Sequence, residues 1–271
     1  VFLFTSAVQA YESADLALLA ENLVFDVVEQ DFDPSKRQLF VVRADGKVAA
    51  LTLFRNEKVT AWTLYETDGM IESVAVVGDE TFFLILRNGA RRIEQLDDTL
   101  NLDSALTGAD PSGAAKWSGL DHLIGKDVRI VADGVVKPLQ TVQGDGSITL
   151  DTPAEKVEIG LPYRHIVEPL PPNALAQNGA GRATRLIEGI FRLENTAALR
   201  VDAGGGLKNA IFKELDGGDQ FDIPSDPVYG DVRLSALGWR HDTSKPLWRI
   251  EQDLPVAFTL LSVTAELKVN D

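Results

Sequence analysis

The fold is decided by residues 38–55, which read QLFVVRADGKVAALTLFR. Two runs in this stretch, Gln38–Arg43 and Lys47–Arg55, are rich in β-branched, aromatic and aliphatic residues, and short runs of this kind are typical of strands. Between them stands Asp45-Gly46, a pair that tolerates the positive φ required by a two-residue hairpin turn. The stretch therefore predicts a β-hairpin.

The same pattern continues as far as residue 96. Further apolar runs bounded by turn signals predict the strands Val59–Glu66, Met70–Val77, Thr81–Arg87 and Arg91–Leu96. Asp68-Gly69 and Asn88-Gly89 repeat the hairpin signal, so we expect six strands in one continuous antiparallel ribbon. The apolar run Thr81–Leu86 is among the longest in the chain, and it has the length of a buried strand.

One short helix is expected before these strands. Apolar residues recur at helical spacing at Leu16, Leu19, Ala20 and Leu23. Ser13 is placed to cap this helix, and the acidic Asp15 suits its first turn. Residues 1–103 are therefore predicted to form an antiparallel β meander, propeller-like or a sandwich, with one short helix.

A second block follows a change in composition. Residues 97–118 are rich in small residues and turn formers, and they predict a loop with a domain boundary. Short strands are then predicted at Asp127–Ala132, Val135–Val142, Ser147–Leu150 and Val157–Ile159. This spacing predicts a small inserted β-barrel or sandwich domain over residues 104–172.

The third block, residues 173–271, is predicted to be a C-terminal β region that packs with the first block. Its expected strands are Thr184–Leu193, Ala198–Val201, Val232–Arg240, Leu247–Gln252 and Phe258–Val269. Gly and Pro residues predict a long surface loop over 202–231. In the last strand we expect Leu261, Val263, Ala265 and Leu267 to share one side. The predicted fold class is mainly β.

The composition narrows the function classes. The chain of 271 residues has a formal net charge of −15 and no cysteine, so disulfides and thiol chemistry are excluded. No apolar run reaches the roughly 18 residues of a transmembrane helix, and we expect no membrane insertion. The negative charge repels phosphate and disfavours nucleic-acid binding. It fits either an ordinary solvated surface or the wall of a channel from which passing DNA is repelled.

The residues that could carry chemistry do not form a recognisable motif. His122, His165 and His241 are scattered, without the close ligand pairs of a zinc site. The run Gly204-Gly205-Gly206-Leu207-Lys208 lacks the ending of a phosphate-binding loop and predicts a flexible loop. We therefore expect no catalytic, cofactor-binding or metal-binding residue, no cofactor, and no enzymatic activity.

Carboxylates and tryptophans leave one alternative open. Many acidic residues precede glycine and are explained by turns, as at Asp45, Asp68, Asp133, Asp145 and Asp216. Four tryptophans are present, at Trp62, Trp117, Trp239 and Trp248. They could stack on sugars, although core or interface positions are the more common use of such residues. The alternative is a glycan-binding module or polysaccharide depolymerase.

An ordered set of motifs carries a resemblance to a known family. It begins with Phe40–Val48 and Leu51–Trp62, followed by Thr67-Asp68-Gly69 and Ile71–Val76. It continues with Ser118–Val128, Ala132-Asp133-Gly134, Ile148-Thr149-Leu150 and Val157–Tyr163. In this order the motifs, spread over roughly residues 10–200, resemble the C-terminal part of phage tail tubular protein B-like and tail nozzle proteins.

The resemblance implies a virion structural protein of the phage tail, made in the host cytoplasm. It implies self-association into a ring, commonly of six copies, that contacts tail adaptor and fibre proteins and lets DNA pass without sequence-specific binding. Members of that family are usually longer. Because the chain begins Val1-Phe2-Leu3-Phe4 without a methionine, we expect it to be a fragment, a processed chain or an excised domain.

Overall fold

A computed structural model describes residues 2–5, 10–13, 15–18, 20–54, 59–171, 183–210, 227–235, 239 and 245–269. The chain forms two compact units, residues 1–99 and 100–271. Within the described residues the structure consists of antiparallel sheets and contains no α-helix. The mainly-β fold class is therefore confirmed, whereas the three-part division into 1–103, 104–172 and 173–271 stays a prediction.

The first unit contains nine strands among its described residues. They are β1 Phe2–Thr5, β2 Ala10–Ser13, β3 Val27–Asp33, β4 Gln38–Arg43, β5 Val48–Phe54, β6 Val59–Tyr65, β7 Met70–Val77, β8 Glu80–Arg87 and β9 Ala90–Gln95. Strands β1 and β2 pair with each other, β3 to β6 form a four-stranded sheet in chain order, and β7 to β9 form a three-stranded sheet.

One core lies between the two larger sheets of this unit. Its buried side chains are Phe40, Val42, Val48, Ala50, Ile71, Val74, Phe83 and Ile85. Phe40 meets Phe83 edge to face, with the ring centroids 5.6 Å apart, a geometry that aromatic pairs favour. Both sheets thus bury one face in a shared apolar layer, which is the arrangement of a sandwich.

The predicted continuous ribbon is wrong at Asp68-Gly69. This pair does not close a hairpin, because β6 and β7 belong to different sheets. The crossing is held by the buried guanidinium of Arg87, which donates to the hydroxyl of Thr67 and to the carbonyl of Asp68. A turn signal specifies the local backbone but not whether the flanking strands pair. The sequence around Asp68-Gly69 therefore could not show that β6 and β7 belong to different sheets.

Strand β3 was not predicted, and its acidic side chains connect the two sheets. Glu29 accepts a hydrogen bond from the backbone N–H of Val74 (3.2 Å), and Asp31 accepts one from the N–H of Val76 (2.6 Å). The buried carboxylate of Asp33 accepts a bond from the Thr81 hydroxyl (3.2 Å). Carboxylates at every second position of β3 therefore satisfy polar groups that the edge strand β7 and the start of β8 would otherwise leave unpaired.

The predicted helix over residues 15–23, with Ser13 as its cap, is wrong among the described residues; Leu19 lies outside them. Ser13 ends strand β2, and the described residues after it form turns, with Ala20 N–H bonded to the carbonyl of Ala17 and Leu23 N–H to that of Ala20. Asp15 accepts from the N–H of Ala17. A helix this short is marginal in water, and local turn bonds replace it here.

The second unit begins with a four-stranded sheet in the order β10-β13-β11-β12. Its strands are β10 Asp103–Trp117, β11 Asp127–Ala132, β12 Val135–Thr141 and β13 Ile148–Leu161. Its core contains Leu120, Leu123, Val128, Ile130, Ala132, Val142, Ile148, Leu150, Ala154, Val157, Ile159 and Leu161. A turn of 3-10 helix, Asp121–Leu123, lies between β10 and β11.

Two predictions about this sheet are wrong. Most of the expected loop 97–118 is strand β10, and the two strands expected between residues 147 and 159 are one strand, β13. The β10–β13 ladder is interrupted between Ala109 and Ala114, and Pro111 falls within this interruption. A proline lacks the N–H that a ladder requires, which explains the interruption. Strand β10 pairs with β13 on both sides of it, although the local sequence predicts a loop.

The remainder of the second unit is a pair of sheets. Its strands are β14 His165–Val167, β15 Thr184–Thr196, β16 Arg200–Asp202, β17 Leu207–Asn209, β18 Val228–Ser235, β19 Arg249–Gln252 and β20 Thr259–Val269. The sheets have the orders β14-β19-β16-β17 and β18-β15-β20. Phe191, Leu193, Leu199, Val201 and Ile250 form the buried core between them.

Two predictions in this region need correction. The expected loop 202–231 contains β17 and the start of β18, and its residues 211–226 lie outside the described part. Strand β20 does not keep one simple alternation, because the pairing shifts between Arg192 and Leu193. Leu261 lies at this bulge and is 56% exposed, whereas Val263 packs against the core. A bulge turns the following side chains to the other face.

Candidate functional surface

The outer face of the β7–β8–β9 sheet is the most distinctive surface of the first unit. Along β8 the side chains of Thr81, Phe83, Ile85 and Arg87 are buried and alternate with more exposed ones. The alternate set that points away from the core is Glu80, Phe82, Leu84 and Leu86. Three of these four outward residues are apolar, so β8 carries apolar side chains on both of its faces.

Neighbouring strands extend this apolar face on both sides of β8. Leu84 is paired with Ile93 of β9, and Leu86 is paired with Met70 of β7; directly paired residues share one face of a sheet. Ile93 is 75% exposed and Met70 is 47% exposed. We refer to Met70, Phe82, Leu84, Leu86 and Ile93 as the outer apolar face.

Charged residues mark the two ends of the outer apolar face. At one end Glu80 accepts a hydrogen bond from the amide of Gln95 (3.1 Å). At the other end Arg91, which is paired with Leu86, donates from Nε to Glu72 (2.6 Å). The hydrogen bond from Arg91 holds the pKa of Glu72 below its usual range. The face is therefore apolar in its middle, acidic at one end, and closed by an ion pair at the other.

The histidines predicted to be inert lie in separate places. His122 is half-buried in the 3-10 turn, and its Nε2 lies 3.1 Å from the carbonyl oxygen of Ser104. His165 stacks on Phe258 with ring centroids 4.8 Å apart, and burial lowers its pKa. His241 lies outside the described residues. The structure does not bring the two described histidines together.

The glycine-rich run forms the turn between β16 and β17. The carboxylate of Asp202 accepts hydrogen bonds from the N–H groups of Gly204 (2.7 Å) and Gly206 (3.1 Å). A carboxylate thus occupies the position that a bound phosphate would need, because both anions compete for the same backbone donors. The loop was predicted to be flexible rather than phosphate-binding, and its bonds to Asp202 explain its shape.

Two turn carboxylates accept hydrogen bonds within the turn or from a neighbouring strand. Asp145 accepts from the hydroxyl of Ser147 (2.6 Å) and from Lys116 (2.9 Å), and these bonds lower its pKa to about 2. Asp133 accepts from the N–H groups of Glu155 and Lys156. In the described residues no group of three or more acidic or histidine side chains is arranged to hold a metal ion.

The described tryptophans have different surroundings within their own units. Trp117 packs against the core of the β10–β13 sheet, and Trp248 meets Phe191 edge to face at 5.5 Å in the C-terminal core. Trp62 lies in the other unit and donates from its indole to the carbonyl of Leu16 (2.8 Å). Trp239 is 38% exposed. Trp117 and Trp248 therefore hold core positions, which is the more common use of such residues.

Two glycines of the motifs that carry the resemblance, Gly69 and Gly160, occupy positions of close packing. A Cβ on Gly160 would lie 2.7 Å from the carbonyl oxygen of Asp103. A Cβ on Gly69 would lie 2.8 Å from the carbonyl oxygen of Leu86. Such approaches exclude any larger side chain unless the backbone moves. These motif residues therefore have structural roles, at the β10–β13 ladder and at the crossing between two sheets.

No protein-family model matches the chain, and no curated protein is similar enough to it to count as a relative. Among the described residues, no helix is long and apolar enough to cross a membrane.

The outer apolar face was not predicted from the sequence. The sequence feature that could have indicated it is the continuous apolar run Thr81–Leu86, which is typical of a strand covered on both faces. In the described part of the first unit, only one face of this strand is buried in the core.

Proposed function

We propose that this chain is a structural component of a phage tail, of the tail-tube or nozzle kind, that acts in tail assembly and DNA passage. The observation that carries the proposal is the ordered set of motifs along residues 40–163. Gly69 and Gly160, which belong to two of these motifs, have packing roles in the fold. An order of structural motifs is what a shared architecture would preserve.

The surface chemistry supports a role in assembly. The outer apolar face exposes Ile93 and Met70, and contiguous apolar surface is typical of protein–protein contact. The net charge of −15 would repel the phosphates of DNA passing through a channel. On this proposal the chain self-associates into a ring, expected to be a hexamer, and contacts adaptor and fibre proteins in the virion tail.

The proposal is tested by measuring the mass of the full chain by light scattering over a concentration series, followed by negative-stain electron microscopy. We expect particles of about six copies with a central channel, together with no retardation of duplex DNA in a gel. A strict monomer at every concentration contradicts the ring.

A parallel assay addresses the glycan alternative. The chain is incubated with several bacterial surface polysaccharides, and the release of reducing sugar is measured. We expect no release. Turnover that is abolished by a single Asp or Glu substitution would replace the structural role with a depolymerase.

A further inference from the structure

We propose that the outer apolar face is a contact site for a second copy of this chain, arranged about a two-fold axis. This pairing goes beyond the proposed tail role and does not depend on it. A two-fold contact uses the same patch on both copies and closes at two, whereas a ring needs a head-to-tail contact. The two contacts are therefore separate and can be tested separately.

The first argument is the incomplete cover of β8. Its outward side chains Phe82, Leu84 and Leu86 are half-buried by their neighbours on the sheet, while Ile93 beside Leu84 is 75% exposed. A strand that is apolar on both faces is usually covered on both. A second sheet stacked on this face would supply that cover, as between the layers of a sandwich.

The second argument is the placement of charge, which identifies a second copy as the occupant. Glu80 and Leu86 are six residues apart on β8, which is about 20 Å along an extended strand. Arg91 is paired with Leu86 and so lies at the end of the face opposite to Glu80. A two-fold axis running across the strands, between Phe82 and Leu84, exchanges the two ends and brings Arg91 of one copy to Glu80 of the other.

Arg91 has hydrogen-bonding capacity left for this contact. Its side chain is 65% exposed, and it uses Nε and one terminal nitrogen on Glu72. A guanidinium has five N–H donors in a fixed fork, so its other terminal nitrogen can donate to the Glu80 carboxylate of the second copy. Among the described residues, the bond from Gln95 is the one hydrogen bond to Glu80, which leaves further lone pairs on that carboxylate.

The same axis stacks apolar side chains in the middle. Phe82 of one copy lies over Leu84 of the other, because the two positions are related by reversal of the strand about its midpoint. Ile93 of each copy then packs on the rim of this layer. The contact has an apolar centre and charged ends, which is the usual anatomy of a protein interface.

The test measures the dimer dissociation constant of the full chain by sedimentation velocity over a concentration series. Ile93→Glu places a negative charge at the rim of the apolar layer, and Glu80→Arg places a positive charge opposite Arg91 of the second copy. Each variant should weaken the dimer by about tenfold or more. Leu139→Glu is the matched control, since Leu139 is also an exposed apolar residue (48%) but lies on β12. It should leave the constant unchanged.

A charge inversion makes the test specific. The triple variant Glu72→Arg, Glu80→Arg, Arg91→Glu reverses the intrachain pair and the pair between copies together, and it should restore dimerisation to within about threefold of the wild-type value. Circular dichroism confirms that each variant is folded. A chain that is monomeric throughout, or one whose dimer survives Ile93→Glu, overturns the proposal. A ring that forms unchanged in Ile93→Glu while the dimer is weakened supports the proposal, because the two contacts are separate.

Discussion

Asp33→Ala tests whether the carboxylates of β3 hold the two sheets of the first unit together. The Asp33 side chain is completely buried. It accepts bonds from the N–H of Ser35 (2.8 Å), the hydroxyl of Ser35 (2.6 Å) and the N–H of Lys36 (3.0 Å). Its second oxygen accepts the Thr81 hydroxyl at the start of β8. One side chain thus shapes a turn and reaches the other sheet.

The expected loss of stability combines these two roles. Removing the acceptor of the turn should cost about 1 kcal/mol, as at a helix N-cap. Leaving the fully buried Thr81 hydroxyl without an acceptor should cost about 1–3 kcal/mol more. We therefore expect Asp33→Ala to lower the free energy of unfolding of the first unit by about 2–4 kcal/mol. The double variant Asp33→Ala, Thr81→Val should recover part of this loss, because the unsatisfied hydroxyl is gone.

The chain offers a matched control in Asp110. Asp33-Pro34-Ser35 and Asp110-Pro111-Ser112 have the same sequence, and Asp110 accepts the same two bonds from Ser112. Among the described residues, Asp110 has no hydrogen bond beyond its own turn. Asp110→Ala should therefore cause a much smaller loss than Asp33→Ala.

The measurement is urea unfolding followed by circular dichroism, with hydrogen–deuterium exchange of peptides from residues 70–87. Asp33→Ala should accelerate exchange in those peptides, and Asp110→Ala should not. Equal losses in the two variants would refute the role of the link to Thr81.

The pKa of Asp33 adds a pH dependence to this prediction. Burial alone would raise that pKa, but the hydrogen bonds from Ser35, Lys36 and Thr81 outweigh burial and lower it below the ordinary 3.8. The unfolded chain then binds the proton more readily, so the stabilisation is present above about pH 4 and is lost as pH falls through the folded pKa. Asp33→Ala should show a shallower loss of stability below pH 4 than the wild-type chain does.

Three further variants test other parts of the fold. Gly160→Ala should destabilise the second unit by about 1–3 kcal/mol through the clash with a backbone carbonyl; Gly144→Ala, where the described atoms leave room for a Cβ, should be nearly neutral in urea unfolding. Burial lowers the pKa of His165, so the unfolded state binds more protons below pH 6.5 and the melting temperature should fall from pH 7 to pH 5. His165→Phe should flatten this fall. A variant whose melting temperature depends on pH as the wild-type value does would contradict the prediction. Arg87→Met should cost about 3–5 kcal/mol, since it removes the buried guanidinium that bonds to Thr67, Asp68 and Glu94. A loss below about 1 kcal/mol in thermal unfolding would show that the guanidinium is dispensable.

Local patterns predicted strands β4 to β9 of the first unit well. The predicted strand Gln38–Arg43 is β4 without any change of bounds, and Asp45-Gly46 lies between β4 and β5. Asn88-Gly89 joins the paired strands β8 and β9, with positive φ at both residues. These features depend on backbone preferences and periodicity within a few residues, which are properties of the sequence alone.

The candidate surface was only partly visible in the sequence. The apolar run Thr81–Leu86 predicted a buried strand, but no pattern indicated that one face would remain uncovered. The positions of Glu80 and Arg91 at opposite ends of that face follow from the pairing of β8 with β9. Such pairing joins residues whose separation in the sequence carries no signal of its own.

What the sequence determined by itself is the mainly-β class, most strand positions, the acidic charge and the lack of thiol chemistry, because composition and short-range periodicity encode them. Tertiary structure alone decided that β6 and β7 separate into different sheets, that the Pro-containing segment 103–117 is a strand, and that the acidic β3 bonds to the edge of β7. Each of these depends on hydrogen bonds between distant segments. Their free energy outweighs the local preference for turn, loop or helix, and no window of the sequence contains both partners.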